Sequence, residues 1–319
     1  MFFIKSESPI FFVHIPKTAG TSFRTALMKA VKGKTLLDYG PASESTSKEV
    51  KEHIYGNNPQ NRAAIAQLLV GKKFGLLSGH AGFAKYRSVV PIDRVVTFLR
   101  RPQDQVWSHY RHHVEYLGYQ DSLAIFAKDK RFSNIQSRYL SGCKIEALGF
   151  VGLTEQFDQS IELFNAIYTL KLDNLSLNQQ SSRTPYSAEE EKTVVANNQQ
   201  DMALYRQFEA VFSERVEFFK RGLTWTSGWV NCNYLDGILS AQVWVVESVN
   251  PVVLEIQYED GTICEVIANQ HSPAAIAMGA PNFGYVGVRH RIKTGQKIHS
   301  IIAKETGQKI PIYYAGEGA

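Results

Sequence analysis

The chain has 319 residues, a formal net charge of +5, 44% hydrophobic residues and 20% charged residues. This composition is typical of an ordinary globular protein with a sizeable core, arranged as one large domain or two smaller ones. The mild positive excess suits an anionic ligand without specifying one. No run of eighteen apolar residues occurs, and the N-terminus lacks a basic segment followed by a long apolar one, so the sequence predicts neither a membrane span nor a signal peptide.

Three cysteines, Cys143, Cys232 and Cys264, lie far apart and in no metal-ligand spacing. Their odd number argues against a disulfide framework. A reducing compartment is therefore the simpler interpretation, and we expect a cytoplasmic protein.

The stretch PIFFVHIPKTAGTSFR, Pro9 to Arg24, predicts a phosphate site. An apolar run that suits a strand is followed by a small-residue turn and then by a helical pattern, and in such a unit the backbone N–H groups of the turn and the helix dipole favour an anion. Lys17 adds a positive charge, and the hydroxyls of Thr21 and Ser22 add donors. Lys17 precedes the only Gly of the turn, whereas the ATP loop G-x-x-x-x-G-K-[ST] has its Lys after the last Gly, which disfavours a standard ATP loop.

The segment HIPKTAGTSFR resembles the 5'-phosphosulfate-binding loop of the sulfotransferases that use 3'-phosphoadenosine 5'-phosphosulfate (PAPS). The resemblance is strongest to the branch of the heparan and chondroitin sulfate O-sulfotransferases. It implies that the 5'-phosphosulfate end is bound by Lys17, Thr18, Ala19, Gly20, Thr21 and Ser22. Golgi members of this branch carry a membrane anchor, whereas this sequence predicts no membrane span. We therefore expect a soluble, bacterial, cytoplasmic version of the family.

After this loop, apolar residues from Phe23 to Val31 recur at helical spacing. Residues 33 to 58 are rich in Gly, Ser, Lys and Asn and predict an irregular surface segment. Asn57-Asn58-Pro59 predicts the start of another helix, which Ala63 to Val70 continue.

Phe74 to Ser78 predicts a short strand, and Gly79-His80 follows it. In a parallel sheet this places the imidazole at the carboxyl edge, where open α/β folds bind ligands. Taken alone, a histidine is more often a surface or packing residue. His80 and Phe83 fit the GHxxF pattern in which the related glycosaminoglycan sulfotransferases carry their base, so the resemblance implies that His80 is the general base.

Residues 94 to 99, RVVTFL, predict a buried strand, and Pro102 predicts the start of a helix from Gln103 to Leu117. The segment from Arg100 to Tyr110 resembles the family's 3'-phosphate motif, R-x-P-x-x-R-x-x-S-x-Y. Arg100 and Ser108 match this motif and are implied to bind the 3'-phosphate. Gln105 replaces the second Arg of the motif, and Arg101 stands where many members have Asp, so neither is carried over.

The same predicted helix carries a basic cluster of His109, Arg111, His112 and His113. Two interpretations are open. The cluster guides an acidic acceptor, or it is a solvated basic face of the helix.

Two later segments also resemble the family, Asn134 to Gly142 and Val151 to Asp158, the second with Thr154 as a predicted helix N-cap. Leu175 to Asn178 predicts a last strand. The polar segment Gln179 to Tyr186 matches the loop that closes over the nucleotide in relatives, and Arg183 is the implied contact.

Further helices are predicted after this loop. Ser187 to Glu190 is a capping-box pattern, and Asp201 to Lys220 predicts a long helix.

From Trp225 onward helical periodicity stops, and short apolar runs alternate with turn residues. Asp260-Gly261 lies between two such runs and predicts a two-residue hairpin. Six or seven strands in this region predict a small β-sandwich, which resembles an accessory domain of bacterial glycosyl- and sulfotransferases. The predicted fold is therefore α/β, a P-loop-type parallel sheet flanked by helices over residues 1–222, followed by a small all-β sandwich over residues 223–319. Trp225, Trp229 or Trp244 either binds glycans, or packs in the core or against the first domain.

The leading hypothesis is a sulfotransferase that moves a sulfuryl group from PAPS to a carbohydrate hydroxyl and leaves the bisphosphate PAP. Lys17 stabilises the leaving phosphate oxygen, His80 removes the acceptor proton, and no metal or nucleic acid takes part. A tyrosine or small-molecule hydroxyl is the alternative acceptor. A P-loop kinase and a non-catalytic sulfated-glycan-binding protein are alternatives of other classes. The sequence predicts no oligomeric state.

Overall fold

The structure is a computed structural model that describes residues 9–57, 59–71, 73–172, 187–246 and 248–314. In chain order its helices and strands are β1 Ile10–Val13, α1 Gly20–Ala30, β2 Lys34–Asp38, α2 Lys48–Tyr55, α3 Arg62–Val70, β3 Phe74–Gly79, β4 Val95–Leu99, α4 Pro102–Leu117, α5 Leu123–Lys128, α6 Ile135–Tyr139, β5 Phe150–Leu153, α7 Phe157–Tyr168, α8 Ala188–Asn197, α9 Gln199–Lys220, β6 Thr226–Asn233, β7 Ile238–Val245, β8 Val252–Tyr258, β9 Ile263–Ala268, β10 Gln270–His271, α10 Pro273–Ala277, β11 Tyr285–Arg291, β12 Ile298–Ala303, β13 Gln308–Lys309 and β14 Ile312–Tyr314.

Five parallel strands form the first sheet, in the order β2-β3-β1-β4-β5. β1 lies at its centre, and all four of its side chains are buried because helices flank the sheet. The chain leaves β1 toward β2 and β3 on one side and later crosses to β4 and β5 on the other. The loops after β1 and β4 therefore diverge at a topological switch point, where open α/β sheets form a crevice at their carboxyl edge.

The C-terminal strands form two further sheets, in the orders β10-β11-β7-β6-β14 and β13-β12-β8-β9. Their pairs are antiparallel except for β14 with β6. Leu239, Leu254 and Ile301 are fully buried in a second hydrophobic core contributed by both sheets. The predicted parallel sheet and sandwich are therefore both present, and the described part of the sandwich also contains the short helix α10 and a 3-10 turn at Asn282–Gly284.

The two parts share buried side chains. Trp229 and Trp244 belong to the sandwich strands but pack into the hydrophobic core of the parallel sheet. The backbone N–H of Ile92, just before β4, donates to the carbonyl of Gly279 over 3.0 Å. This packing favours the core interpretation of both tryptophans, since each is about fully buried.

Some sequence predictions on local structure are wrong. The segment predicted as irregular contains β2 and α2. α3 begins at Arg62 with Asn61 as its N-cap, later than the predicted start. The turn between β8 and β9 was predicted to have two residues but has three, since Tyr258 pairs with Thr262. Gly261 adopts the left-handed conformation in this turn, with a φ of 82°.

Thr154 is not a helix N-cap. It lies in a 3-10 turn before α7, and its hydroxyl donates to the carbonyl of Leu99 over 3.0 Å, which ties β5 to the end of β4. The capping box of Ser187 and Glu190 is confirmed. The predicted strand Leu175 to Asn178 lies outside the described residues. Across the described ranges, no helix is long and apolar enough to cross a bilayer.

Candidate functional site

The loop between β1 and α1 forms an open helix N-terminus. Lys17 and Ala19 have φ values of 66° and 63°, a left-handed conformation that costs energy for residues with a side chain. Ala19 is the N-cap of α1 and offers no side-chain acceptor, so the first backbone N–H groups of the helix have no side-chain cap. Strained residues and uncapped donors at a helix N-terminus make a cradle for an anion.

The hydroxyl groups of the loop have different surroundings. The Thr18 hydroxyl donates to the carbonyl of Ile15 over 3.0 Å, and the residue is fully buried. This hydrogen bond fixes the conformation of the loop. Thr21 is exposed in the first turn of α1, and Ser22 follows it.

Gly20 is required by its neighbour His14. A Cβ at position 20 would lie 2.1 Å from Cδ2 and 2.4 Å from Nε2 of the His14 ring. The imidazole therefore lies directly against the first residue of α1, beside the cradle. His14 itself is only 4% exposed.

His80 follows β3 at the carboxyl edge of the sheet and is exposed. Its Nδ1 donates to the carbonyl oxygen of His14 over 2.9 Å, and because a carbonyl only accepts, Nδ1 carries the hydrogen. Neutral His80 then presents Nε2 as a free base. Desolvation is the largest cause of its lowered pKa, and the charges of Arg24, His112 and Lys17 lower the pKa further, against the hydrogen bond to His14.

Arg100 follows β4 and reaches the cradle loop. Its Nη1 donates to the carbonyl of Lys17 over 3.2 Å. The backbone of Arg100 is held by the buried Gln136 side chain, which accepts from its N–H over 2.9 Å and donates to its carbonyl over 2.8 Å. Asp201, also buried, accepts from the N–H groups of Gln136 and Ser137 over 3.0 and 2.7 Å. A second layer of side chains therefore positions this arginine.

Gln105, which stands at the family's second Arg, has a structural role. It is fully buried on α4, and its Nε2 donates to the carbonyl of Pro16 over 3.1 Å. Ser108 is also buried and lies one turn further along the same helix, on the same side. α4 thus packs against the cradle loop through the face that carries both residues.

The basic cluster on α4 divides into two parts. His109 and His113 pack among aromatic rings, with ring centroids 5.5 and 4.7 Å from Phe132, so the solvated-face interpretation is wrong for these two. Burial, with the charge of His113, lowers the pKa of His109 to about 3. The His112 ring instead lies against the exposed Tyr116, with centroids 5.0 Å apart, and its pKa is lowered by desolvation and then by the charge of Lys17.

The predicted base and two predicted cations lie together. Lys17, His80 and Arg100 follow β1, β3 and β4, which are neighbours in the sheet. Desolvation lowers the pKa of Lys17, and the charge of Arg100 adds to this effect while Glu115 opposes it. The site is therefore electropositive and suited to a ligand that carries several negative charges.

The sequence did not predict two residues of this site, Arg24 and Tyr39. The Tyr39 ring packs edge-on against His80 with centroids 4.9 Å apart, and its hydroxyl bonds to Nδ1 of His14 over 3.2 Å and to Arg24. Tyr39 follows β2, which was not predicted. Its only sequence signal is the Leu-Leu-Asp-Tyr-Gly run that ends this strand.

Next to Tyr39, the carboxylate of Asp38 is buried and accepts from Lys85, Tyr86 and Tyr55. Desolvation would raise the pKa of Asp38, but these hydrogen bonds hold it below its ordinary value. The ion pair of Asp38 and Lys85 thus anchors the end of β2 beside His80.

Arg183, predicted to contact the nucleotide, lies outside the described residues, as does the rest of the segment from Gln179 to Tyr186. Within the part of the chain that the structure describes, no group of three or more His, Cys, Asp or Glu side chains is arranged to hold a metal ion.

The sequence matches no protein-family model and none of the curated proteins. Two solved structures that match part of the chain are sulfotransferases. A sulfotransferase from Alicyclobacillus acidocaldarius has 16% sequence identity and a TM-score of 0.40, over 64% of this chain and 96% of its own. Mouse sulfotransferase SULT7A1 complexed with PAP has 13% identity and a TM-score of 0.33, over 63% of this chain and 68% of its own. These scores are too low to establish a family, so the functional argument depends on the site residues.

Proposed function

We propose that this protein is a PAPS-dependent O-sulfotransferase that transfers a sulfuryl group to a hydroxyl of a carbohydrate. The observation that supports this most is the meeting of Lys17, His80 and Arg100 around an uncapped helix N-terminus at the carboxyl edge of the sheet. The arrangement provides an anion cradle, a base and a separate cation. A sulfuryl transfer needs these three elements.

Each group has a proposed role. The backbone of residues 18 to 22, with the hydroxyls of Thr21 and Ser22, holds the 5'-phosphosulfate end. Lys17 stabilises the charge that develops on the bridging oxygen. Arg100 and Ser108 bind the 3'-phosphate, and Arg183 is a further proposed contact to the nucleotide.

The chemical step uses His80 as the base. The acceptor oxygen forms a bond to sulfur while the bond from sulfur to the bridging phosphate oxygen breaks, and the electron pair of that bond stays on the phosphate of PAP. Nε2 of His80 takes the hydroxyl proton and later releases it to water. The lowered pKa of His80 keeps this nitrogen unprotonated at neutral pH. The proposal requires no metal.

The carbohydrate acceptor is proposed from the sequence resemblance to the glycosaminoglycan sulfotransferases. We also propose that residues 1–222 form the catalytic domain, that residues 223–319 form an accessory domain, and that the protein acts in the cytoplasm. A screen that finds transfer to tyrosine peptides or phenols, but to no polysaccharide, would contradict the acceptor and leave the reaction class in place.

The first test is a thermal shift with PAP, ADP, and ATP with Mg²⁺. A ligand at a hundred times its dissociation constant stabilises the fold by about 2.7 kcal/mol, which is visible as several degrees. We expect stabilisation by PAP alone and its loss in Arg100→Ala. Arg101→Ala is the matched control, because the neighbouring side chain is exposed. Stabilisation by ATP as large as by PAP would favour the kinase alternative instead.

The second test is His80→Asn. It should abolish sulfuryl transfer while PAP still raises the melting temperature, because the ring acts on the acceptor. Undiminished transfer by this variant would exclude His80 as the base.

A further inference from the structure

His14 carries a buried imidazole at the edge of the anion cradle. Its ring stacks on Phe12, with centroids 5.4 Å apart, and contacts the His80 ring at an angle of 42°, with centroids 4.7 Å apart. Nε2 lies so close to the start of α1 that a Cβ on Gly20 would be 2.4 Å from it. Among the described residues, none forms a hydrogen bond with this nitrogen.

A chain of hydrogen bonds favours one nitrogen of His14 as the carrier of its hydrogen. The Arg24 guanidinium can only donate, so the Tyr39 oxygen accepts from it. If Nδ1 of His14, 3.2 Å away, also donated to this oxygen, the Tyr39 hydrogen would have no acceptor among the described residues. Donation from the Tyr39 hydroxyl to Nδ1 satisfies both groups, and neutral His14 then carries its hydrogen on Nε2, which lies at the helix N-terminus.

The surroundings also keep His14 neutral. Burial holds its pKa well below the usual range, and the neighbouring charges of His80, Arg24 and Lys17 act in the same direction. Two imidazoles with centroids 4.7 Å apart are costly to charge together. A neutral His14 leaves His80 free to accept a proton.

We propose that His14 is a binding residue of the cradle, whose Nε2–H donates to the anionic group at the N-terminus of α1. Arg24 and Tyr39 are positioning residues that select this tautomer. The identity of the anion, the 5'-phosphate of the nucleotide, rests on the proposed function. The assignment of Nε2–H as a donor does not depend on that function. It is argued from the buried ring, its hydrogen-bond chain and the uncapped helix.

The experiment compares PAP with adenosine 3'-monophosphate, which lacks the group that the cradle would hold. The variants His14→Phe and Tyr39→Phe both keep an aromatic ring. His14→Phe removes the Nε2–H donor, and Tyr39→Phe removes the hydroxyl that selects the tautomer of His14. We expect each to weaken PAP binding about tenfold to hundredfold, the effect of one hydrogen bond to a charged group, with the affinity for the 3'-monophosphate unchanged. His14→Gln retains an N–H donor and should recover part of the affinity. Tyr285→Phe, on the exposed face of β11, is the control.

The ¹⁵N shifts of the His14 ring provide an independent readout. They should show hydrogen on Nε2 in the free protein, a change in the Nε2 shift on adding inorganic phosphate, and loss of the preferred tautomer in Tyr39→Phe. Hydrogen on Nδ1, or full PAP affinity in folded His14→Phe, overturns the inference while the proposed function stands. Binding of phosphate but not of PAP overturns the proposed function alone, and binding of neither overturns both.

Discussion

Replacing Gly20 with Ala should destabilise the protein through His14. The new methyl group would lie 2.1 Å from Cδ2 of the ring, whereas carbon atoms in contact are about 3.5–4.0 Å apart, so the ring must move by more than an ångström. Displacing a buried side chain in this way costs about 1–3 kcal/mol, and losing the bond to Tyr39 costs about 1 kcal/mol. Ala also lowers the backbone entropy of the unfolded chain, which stabilises the fold by about 0.4–1 kcal/mol.

The net expectation is about 2 kcal/mol, or a melting temperature lower by about 3 °C for a chain of this length. Differential scanning calorimetry can measure this against Gly71→Ala, where φ is −67° and the new methyl group would lie 3.2 and 3.9 Å from the carbonyl oxygens of Gln67 and Leu68. The decisive comparison places Gly20→Ala in a His14→Ala background, where the ring is absent and the cost should largely disappear. An equal cost in both backgrounds would refute the steric explanation.

Other expectations concern the buried polar groups around the site. His109 has a pKa of about 3 in the fold, and an unfolded histidine has one near 6.5, so the unfolded chain binds an extra proton between these values and stability falls as the pH falls through that range. His109→Phe should therefore flatten the fall in melting temperature between about pH 7 and about pH 5, and an unchanged slope would contradict the buried neutral form. Asp201→Ala leaves the N–H groups of Gln136 and Ser137 without their acceptor, so we expect a loss of about 2–4 kcal/mol in the free energy of unfolding and weaker PAP binding through Arg100. Asp201→Asn, which keeps one acceptor oxygen, is its control, and urea denaturation measures both.

Local sequence patterns were sufficient to predict those strands and helix starts whose residue types favour a single structure. The continuous apolar runs of β1 and β4 are buried on both faces, as central parallel strands must be, and Pro102 begins α4 as its fixed φ favours. By contrast, β2 lies at the edge of the sheet, and only Leu36 and Asp38 of its residues are buried. Its mixed composition therefore resembles a loop, and the sequence prediction failed there.

The residues of the site could be predicted only in part, because some of them depend on the edge strand β2. Lys17, His80 and Arg100 each follow an apolar run, so their position at the strand ends could be inferred. Tyr39 meets His80 because β2 pairs with β3, which places Asp38 opposite Gly79, and Arg24 then reaches Tyr39 from α1. Strand order is a property of the whole chain, and no local pattern encodes it.

The shared core has a practical consequence for spectroscopy. Trp229 and Trp244 are two of the four tryptophans, and they belong to sandwich strands whose indoles are embedded behind the parallel sheet. Their emission should therefore shift to the red when either part opens, without any attached dye. A spectral change that originates in the C-terminal strands would thus report on the integrity of the sheet that carries the cradle.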